Sequence, residues 1–180
     1  EKIIGNLVSK PIILKNHSLI SLQGPSSKKI LQTLFPFTNK LNFMQISSFI
    51  FNEENILITE KGGKLIRVHL PTKIYFEVSH NINSVETGQG GFLDVLHYKG
   101  FFYFSYTEDR GSGKTSTSIS RGKLVDDKII ELEPLFKADP PIKSSKHFGS
   151  RIVIHKNMLF ASIGERDKGM IAQDPSKHPG

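Results

Sequence analysis

From residue 46 onward the chain repeats one motif: a short apolar run rich in β-branched and aromatic residues, a polar cluster, then another run. Phe49-Ile50-Phe51 leads into Asn52-Glu53-Glu54-Asn55, and Ile56-Leu57-Ile58-Thr59 meets Lys61-Gly62-Gly63-Lys64. That Gly pair predicts a tight hairpin, because Gly accepts the positive φ such turns require. Leu65–Leu70 returns and Pro71 ends it; Lys73–Val78, Phe92–Leu96 and Phe101–Tyr106 follow, and Thr115–Leu124 alternates more weakly. Ile129–Leu132, Ser150–Ile154 and Met158–Ile163 complete a set of about nine or ten short strands at hairpin spacing. Residues 1–45 read differently, with short apolar runs among polar turns and one helical stretch over 26–35, where Ile30, Leu31 and Leu34 share a face.

The pattern predicts an all-β architecture, a sandwich or a propeller. Residues 49–78 and 151–163 each read as a blade-like unit of strand, turn and strand. At about 40–50 residues per blade, 180 residues supply three or four blades, so a segment of a longer propeller protein is expected.

Composition narrows the function classes. With 37% hydrophobic and 23% charged residues the chain has ordinary globular content. No stretch approaches the roughly 20 apolar residues of a membrane span. Without Cys there is neither a disulfide nor a thiolate metal site. The net charge of +7 comes from Lys and Arg scattered along the chain, and the aromatic residues sit in apolar runs. This argues for a basic solvated surface and against a nucleic-acid binder, while an anionic cofactor or substrate is also served by it.

Three local motifs carry candidate chemistry. Gly111-Ser112-Gly113-Lys114-Thr115 imitates a phosphate loop, but Glu108 stands where the first Gly belongs and the following residues favour a strand, so a hairpin tip is expected. Gly88-Gln89-Gly90-Gly91 is either a tight turn with Gln89 exposed or a loop whose backbone approaches a flat ligand while Gln89 bonds its polar edge. His147 lies in Ser144-Ser145-Lys146-His147-Phe148-Gly149-Ser150-Arg151, just before a strand whose hairpin partner runs into Gly164-Glu165-Arg166. If those strands pair about His155-Lys156-Asn157, Glu165 and His147 meet at the same end of the hairpin. The pair is then either an outward salt bridge or a carboxylate that fixes the imidazole tautomer and leaves the other nitrogen basic.

These segments resemble the glucose/sorbosone dehydrogenase family of soluble, pyrroloquinoline quinone-dependent sugar dehydrogenases, from about Asn55 to Gly180. The resemblance rests on Ile58–Leu65, Gly88–Val95, Phe104-Ser105-Tyr106, Ser120–Leu124, His147–Arg151, Ile163–Arg166 and Ala172-Gln173-Asp174. It implies a six-bladed β-propeller of which this chain covers about three blades, with residues 1–45 poorly matched and 46–180 a partial propeller. It further implies oxidation of an aldose at its anomeric hydroxyl by hydride transfer to the quinone, with His147 as general base and Glu165 as its acidic partner. Gln89 and Arg151 fall on the cofactor side, Arg151 as a brace of the motif. Calcium ligands are expected outside this segment and none within it. An external electron acceptor and a periplasmic or secreted location are implied too. Two departures stand out: the chain has no Trp, and Lys146 precedes the His where some relatives carry an acidic or amide residue. The alternative is a non-catalytic propeller that binds a sugar or a partner protein.

Overall fold

The computed structural model describes residues 46–51, by their backbone, and 54–178. The helix expected over 26–35 and the rest of 1–45 lie outside the described residues. Among the described residues ten strands form, close to the runs legible in the sequence. The first four, β1 (Ile46–Phe51), β2 (Asn55–Glu60), β3 (Leu65–His69) and β4 (Ile74–Glu77), make one antiparallel sheet in chain order. The next four, β5 (Phe92–Tyr98), β6 (Phe101–Asp109), β7 (Thr115–Val125) and β8 (Lys128–Lys137), make a second. A hairpin of β9 (Ile152–His155) and β10 (Met158–Ala161) follows. The blade-like unit at 49–78 is therefore a complete four-stranded sheet, whereas 151–163 contributes one hairpin; the second complete sheet, 92–137, was the less obvious one in the sequence.

Turn chemistry explains the local fold. Three hairpins close through two-residue loops with both central residues at positive φ: Lys99-Gly100, Asp126-Asp127 and Lys156-Asn157. This is the signature of the I′ turn, whose twist matches that of the flanking strands. The Gly111–Lys114 segment is a hairpin tip, closed by Arg110 N–H to the Lys114 carbonyl at 2.9 Å, as expected once a phosphate loop was rejected.

Burial is graded across each sheet. The opening strand of the second sheet, β5, is enclosed on both faces from Phe92 to Val95, while the last strand of the first sheet, β4, is exposed throughout. β5 lies against β1 and β2 on one side and approaches β9 on the other, so successive sheets stack face to face. Between the two sheets Leu57, Leu65, Val78, Phe92, Val95, Phe104 and Ile129 form one core, with Phe92 and Phe104 ring centroids 5.6 Å apart. Each such side chain contributes about 1.5–3 kcal/mol by leaving water.

Polar clasps then fix the relation between the sheets. Arg67 of β3 donates from Nη2 to Asp127 Oδ2 at 2.8 Å and from Nη1 to Asn55 Oδ1 at 2.8 Å. The Arg67 guanidinium holds the Asp127 carboxyl below its usual range. A depressed carboxylate contributes stability that is present above its ordinary pKa near 3.8 and lost as pH falls through the folded value. Asp127→Asn keeps a residue tolerant of positive φ. It is expected to cost about 1–2 kcal/mol in urea denaturation at pH 7, with the gap from wild type closing in acid. An equal gap at pH 3 and pH 7 would exclude this account.

Candidate active site

The site is assembled by a loop laid over buried hydroxyls of the second sheet. Thr107, Ser105 and Thr117 are fully enclosed, yet each has a loop partner. Thr117 Oγ1 donates to the Phe148 carbonyl at 2.7 Å, Ser105 Oγ to the Ser150 carbonyl at 2.6 Å, and Thr107 Oγ1 accepts from Gly91 N–H at 3.0 Å. The weak alternation of β7 in the sequence has this cause: its Ser and Thr side chains make hydrogen bonds, Thr115 and Thr117 to the loop and Ser118 and Ser120 to Glu108 and Tyr106 of β6, instead of packing as an apolar face. A buried hydroxyl without a partner costs about 1–3 kcal/mol, so these bonds specify where the loop lies.

Segment 144–150 carries His147 at φ +50° and Gly149 at φ +73°. The first is a sparsely populated backbone state for His, held here by bonds on both sides. The His147 amide N–H donates to Gln89 Oε1 at 2.9 Å, and the Gln89 amide N–H donates to the Ser145 carbonyl at 2.8 Å. The Gly-rich loop and the His segment are thus stitched together reciprocally. Gln89 turns its carbonyl oxygen inward, which directs its NH2 group away from the His147 backbone. Lys61 Nζ, reaching from the first sheet, donates to the Gly88 carbonyl.

The β9–β10 hairpin completes the arrangement. Its register, Met158 with His155 through Ala161 with Ile152, continues as Ser150 N–H to the Ser162 carbonyl at 2.7 Å. The turn is the two residues Lys156-Asn157, one shorter than expected. Continued pairing brings Glu165 to His147, and His147 Nδ1 bonds Glu165 Oε1. That bond holds the Glu165 carboxyl below its ordinary range, so it stays ionised and accepts. Nδ1 therefore carries the hydrogen, and Nε2 is the nitrogen left for chemistry. The His147 side chain is 45% exposed, so its ring is reachable.

Gln89, His147 and Glu165 are brought into one cluster, while Arg151 stands to one side. Its Nη1 lies 3.0 Å from Oδ1 of Asp94, which is buried in β5. Asp94 Oδ2 also accepts from Ile152 N–H at 3.0 Å, so this pair clamps β9 to β5. Two important residues were not legible as such. Asp94 read as one polar position in an apolar run, and Arg166 as one charge among several. Arg166 is only 2% exposed, with its guanidinium 3.6 Å from the Phe148 ring centroid. It donates to the Lys146 and Thr115 carbonyls, each at 3.0 Å, to Thr115 Oγ1 at 2.8 Å, and to the Ser144 carbonyl. Burial pushes its pKa down to about 10. No local pattern announces such a residue, because every partner except Phe148 offers a backbone oxygen or a hydroxyl.

Close packing leaves little room at the pair. A Cβ on Gly164 would collide with the His147 carbonyl. Gly164→Ala is therefore expected to displace the pair and lower any turnover at this site by up to about 10²-fold, since a shift near 1 Å costs that much. The strand signature in far-ultraviolet circular dichroism should be retained; full turnover in the variant would refute the claim.

The glucose/sorbosone dehydrogenase family model, described as Glucose / Sorbosone dehydrogenase, matches residues 45–180. The chain belongs to this family. It is 29% identical over 178 residues to the aldose sugar dehydrogenase YliI of Escherichia coli K12, a match covering 94% of this chain and 46% of that protein. The chain thus spans about half the length of this curated relative. Among solved structures it is similar to the soluble aldose sugar dehydrogenase of Escherichia coli in its apo form, at 31% identity and a TM-score of 0.67 over 71% of this chain and 39% of that one. A glucose dehydrogenase aligns at 28% identity and a TM-score of 0.67, over 71% of this chain and 42% of that one. The aldose sugar dehydrogenase of Streptomyces coelicolor, solved with PQQ bound, shares the fold at 16% identity and a TM-score of 0.63, over 92% of this chain and 47% of that one. The all-β architecture is accordingly that of the family's propeller, of which two complete four-stranded sheets and one hairpin are described here. Among the described residues no helix is long and apolar enough to cross a membrane.

Proposed function

We propose that this chain is the base-bearing part of a quinone-dependent aldose dehydrogenase, in which His147 takes the proton of the sugar's anomeric hydroxyl. The observation that carries the reading is the His147 Nδ1–Glu165 bond, made while the His147 backbone is held by Gln89. Glu165 keeps the hydrogen on Nδ1 and stabilises the imidazolium that forms when Nε2 accepts a proton. As the hydroxyl proton goes to His147, a hydride leaves the anomeric carbon and the sugar becomes the lactone. Bound pyrroloquinoline quinone would supply the two-electron acceptor, and an external acceptor would reoxidise it.

The donor set fits one edge of a flat, anionic quinone. Gln89 offers the NH2 group of an amide whose oxygen is held by the His147 N–H, on a loop whose Gly residues let it pack closely on Ser145, Phe148 and Lys61. Arg151, paired with Asp94, braces the start of β9 to one side of that cluster. Among the described residues no group of three or more His, Asp or Glu side chains could hold a metal ion. In this reading, the calcium ion that accompanies the quinone takes its ligands elsewhere in the full-length protein. The reading extends to a six-bladed propeller for the whole protein, with 46–180 as part of its front half and 1–45 a poorly matched N-terminal segment, and to a periplasmic or secreted location.

The test is dye reduction by the full-length protein with aldoses, added quinone and calcium. Sugar-dependent reduction is expected. Absence of both turnover and quinone binding with every aldose would replace this reading by that of a propeller that only binds a sugar or a partner protein.

A further inference from the structure

A cavity of about 360 Å³ opens beside the His147 segment, lined among others by Thr115, Lys143, Ser144, Ser145, Lys146 and Asp167. It is joined to the candidate site by the backbone: Ser145 accepts from the Gln89 amide, and Lys146 is the neighbour of His147, with Cα atoms about 3.8 Å apart across a trans peptide. A volume above about 300 Å³ is in the range of small-molecule sites.

The charge around this cavity is one-sided. Lys143 and Lys146 stand on its wall, and the buried guanidinium of Arg166 lies behind it, bonded to Ser144, Lys146 and Thr115. The single wall carboxylate, Asp167, is 3.8 Å from Lys146 Nζ. Among the described residues, neither Lys143 nor Arg166 has a carboxylate within ion-pair distance; on the wall itself two lysines face one carboxylate, and behind it stands Arg166, next to Glu165, whose carboxylate is engaged by His147. Arg166 cannot swing out to water, being held by four hydrogen bonds. Its field reaches the cavity through protein, where screening is weak. Neutral hydroxyl groups have no need of such a wall, whereas an anionic group would gain charge-assisted bonds from both lysines.

We propose that this cavity receives the anionic end of an acidic aldose, carrying a carboxylate or a phosphate, while the anomeric end of the same sugar reaches His147. The inference rests on the aldose dehydrogenase reading and adds the substrate class.

The experiment compares kcat/KM of the full-length, quinone-loaded protein for glucose, glucuronic acid and glucose 6-phosphate. At least one acidic sugar should exceed glucose by about tenfold or more, and which one does so tells carboxylate from phosphate. The advantage should shrink between 0.1 M and 1 M salt, where the Debye length falls from about 10 Å to 3 Å. In the Lys143→Gln/Lys146→Gln double variant the acidic-to-neutral ratio should fall about tenfold, mainly through KM. Glucose turnover without acidic preference, or a ratio unmoved by the double substitution, overturns the cavity's role and leaves the dehydrogenase reading intact. If no aldose is oxidised, calorimetric titration of unloaded protein with glucuronate and inorganic phosphate decides the matter. Binding by wild type that the double variant loses keeps the anionic site, and no binding overturns it.

Discussion

The His147→Ala variant of the full-length protein is expected to oxidise aldoses about 10²–10⁴-fold more slowly than wild type, the usual worth of one positioned general base. The loss should fall on kcat and kcat/KM together, because the proton moves only in the transition state. Glu165→Gln separates the roles within the pair. It keeps a hydrogen-bonding group near Nδ1, but it removes the charge that opposes the imidazolium and lets the ring adopt the other tautomer. Its rate should lie between those of wild type and His147→Ala, and Glu165→Asp should recover part of the loss. The ionised state of Glu165 persists below the ordinary carboxylate range because of its bond to His147. The partnership is therefore present at neutral pH and lost as pH falls through the folded pKa of Glu165. Stopped-flow dye reduction across pH measures all of this. Turnover by His147→Ala within threefold of wild type would remove the imidazole from the mechanism.

Arg166→Met is expected to be the most damaging single change to stability at the site, costing about 3 kcal/mol in urea denaturation. Met fills similar length and keeps contact with Phe148, yet it removes the donor to the Lys146 carbonyl and leaves the Ser144 and Thr115 carbonyls only their second donors, Thr115 Oγ1 at 3.4 Å and Ile142 N–H at 3.0 Å. Orphaned buried acceptors cost about 1–3 kcal/mol each. Part of that is offset, because the guanidinium already bears a desolvation penalty, visible in its pKa of about 10. Arg166→Lys should recover little, since one ammonium cannot serve the same fork of acceptors. Under conditions where the Met variant is still folded, turnover should also drop, because segment 144–147 loses the brace beneath His147. A stability change within about 0.5 kcal/mol would place Arg166 among ordinary surface positions and refute this account.

The strands were legible because their causes are local. Alternation of apolar side chains sets β2 and β3, and Lys61-Gly62-Gly63-Lys64 sets the turn between them. The Glu165–His147 meeting was legible for a related reason: antiparallel pairing makes position along a hairpin predictable, even though the actual turn is one residue shorter than expected. The sequence alone therefore determined the all-β class, nearly every strand, the rejection of a phosphate loop at Gly111–Lys114, and the meeting of Glu165 with His147. Only the tertiary structure decided that Gln89 holds the His147 backbone across 58 residues, that Asp94 clamps β9, and that Arg166 is buried beneath the His segment. Those contacts join elements distant in the chain through backbone oxygens and amides, groups that every residue carries. A side-chain pattern cannot point to them, because what selects them is the close approach of two loops once the sheets have stacked.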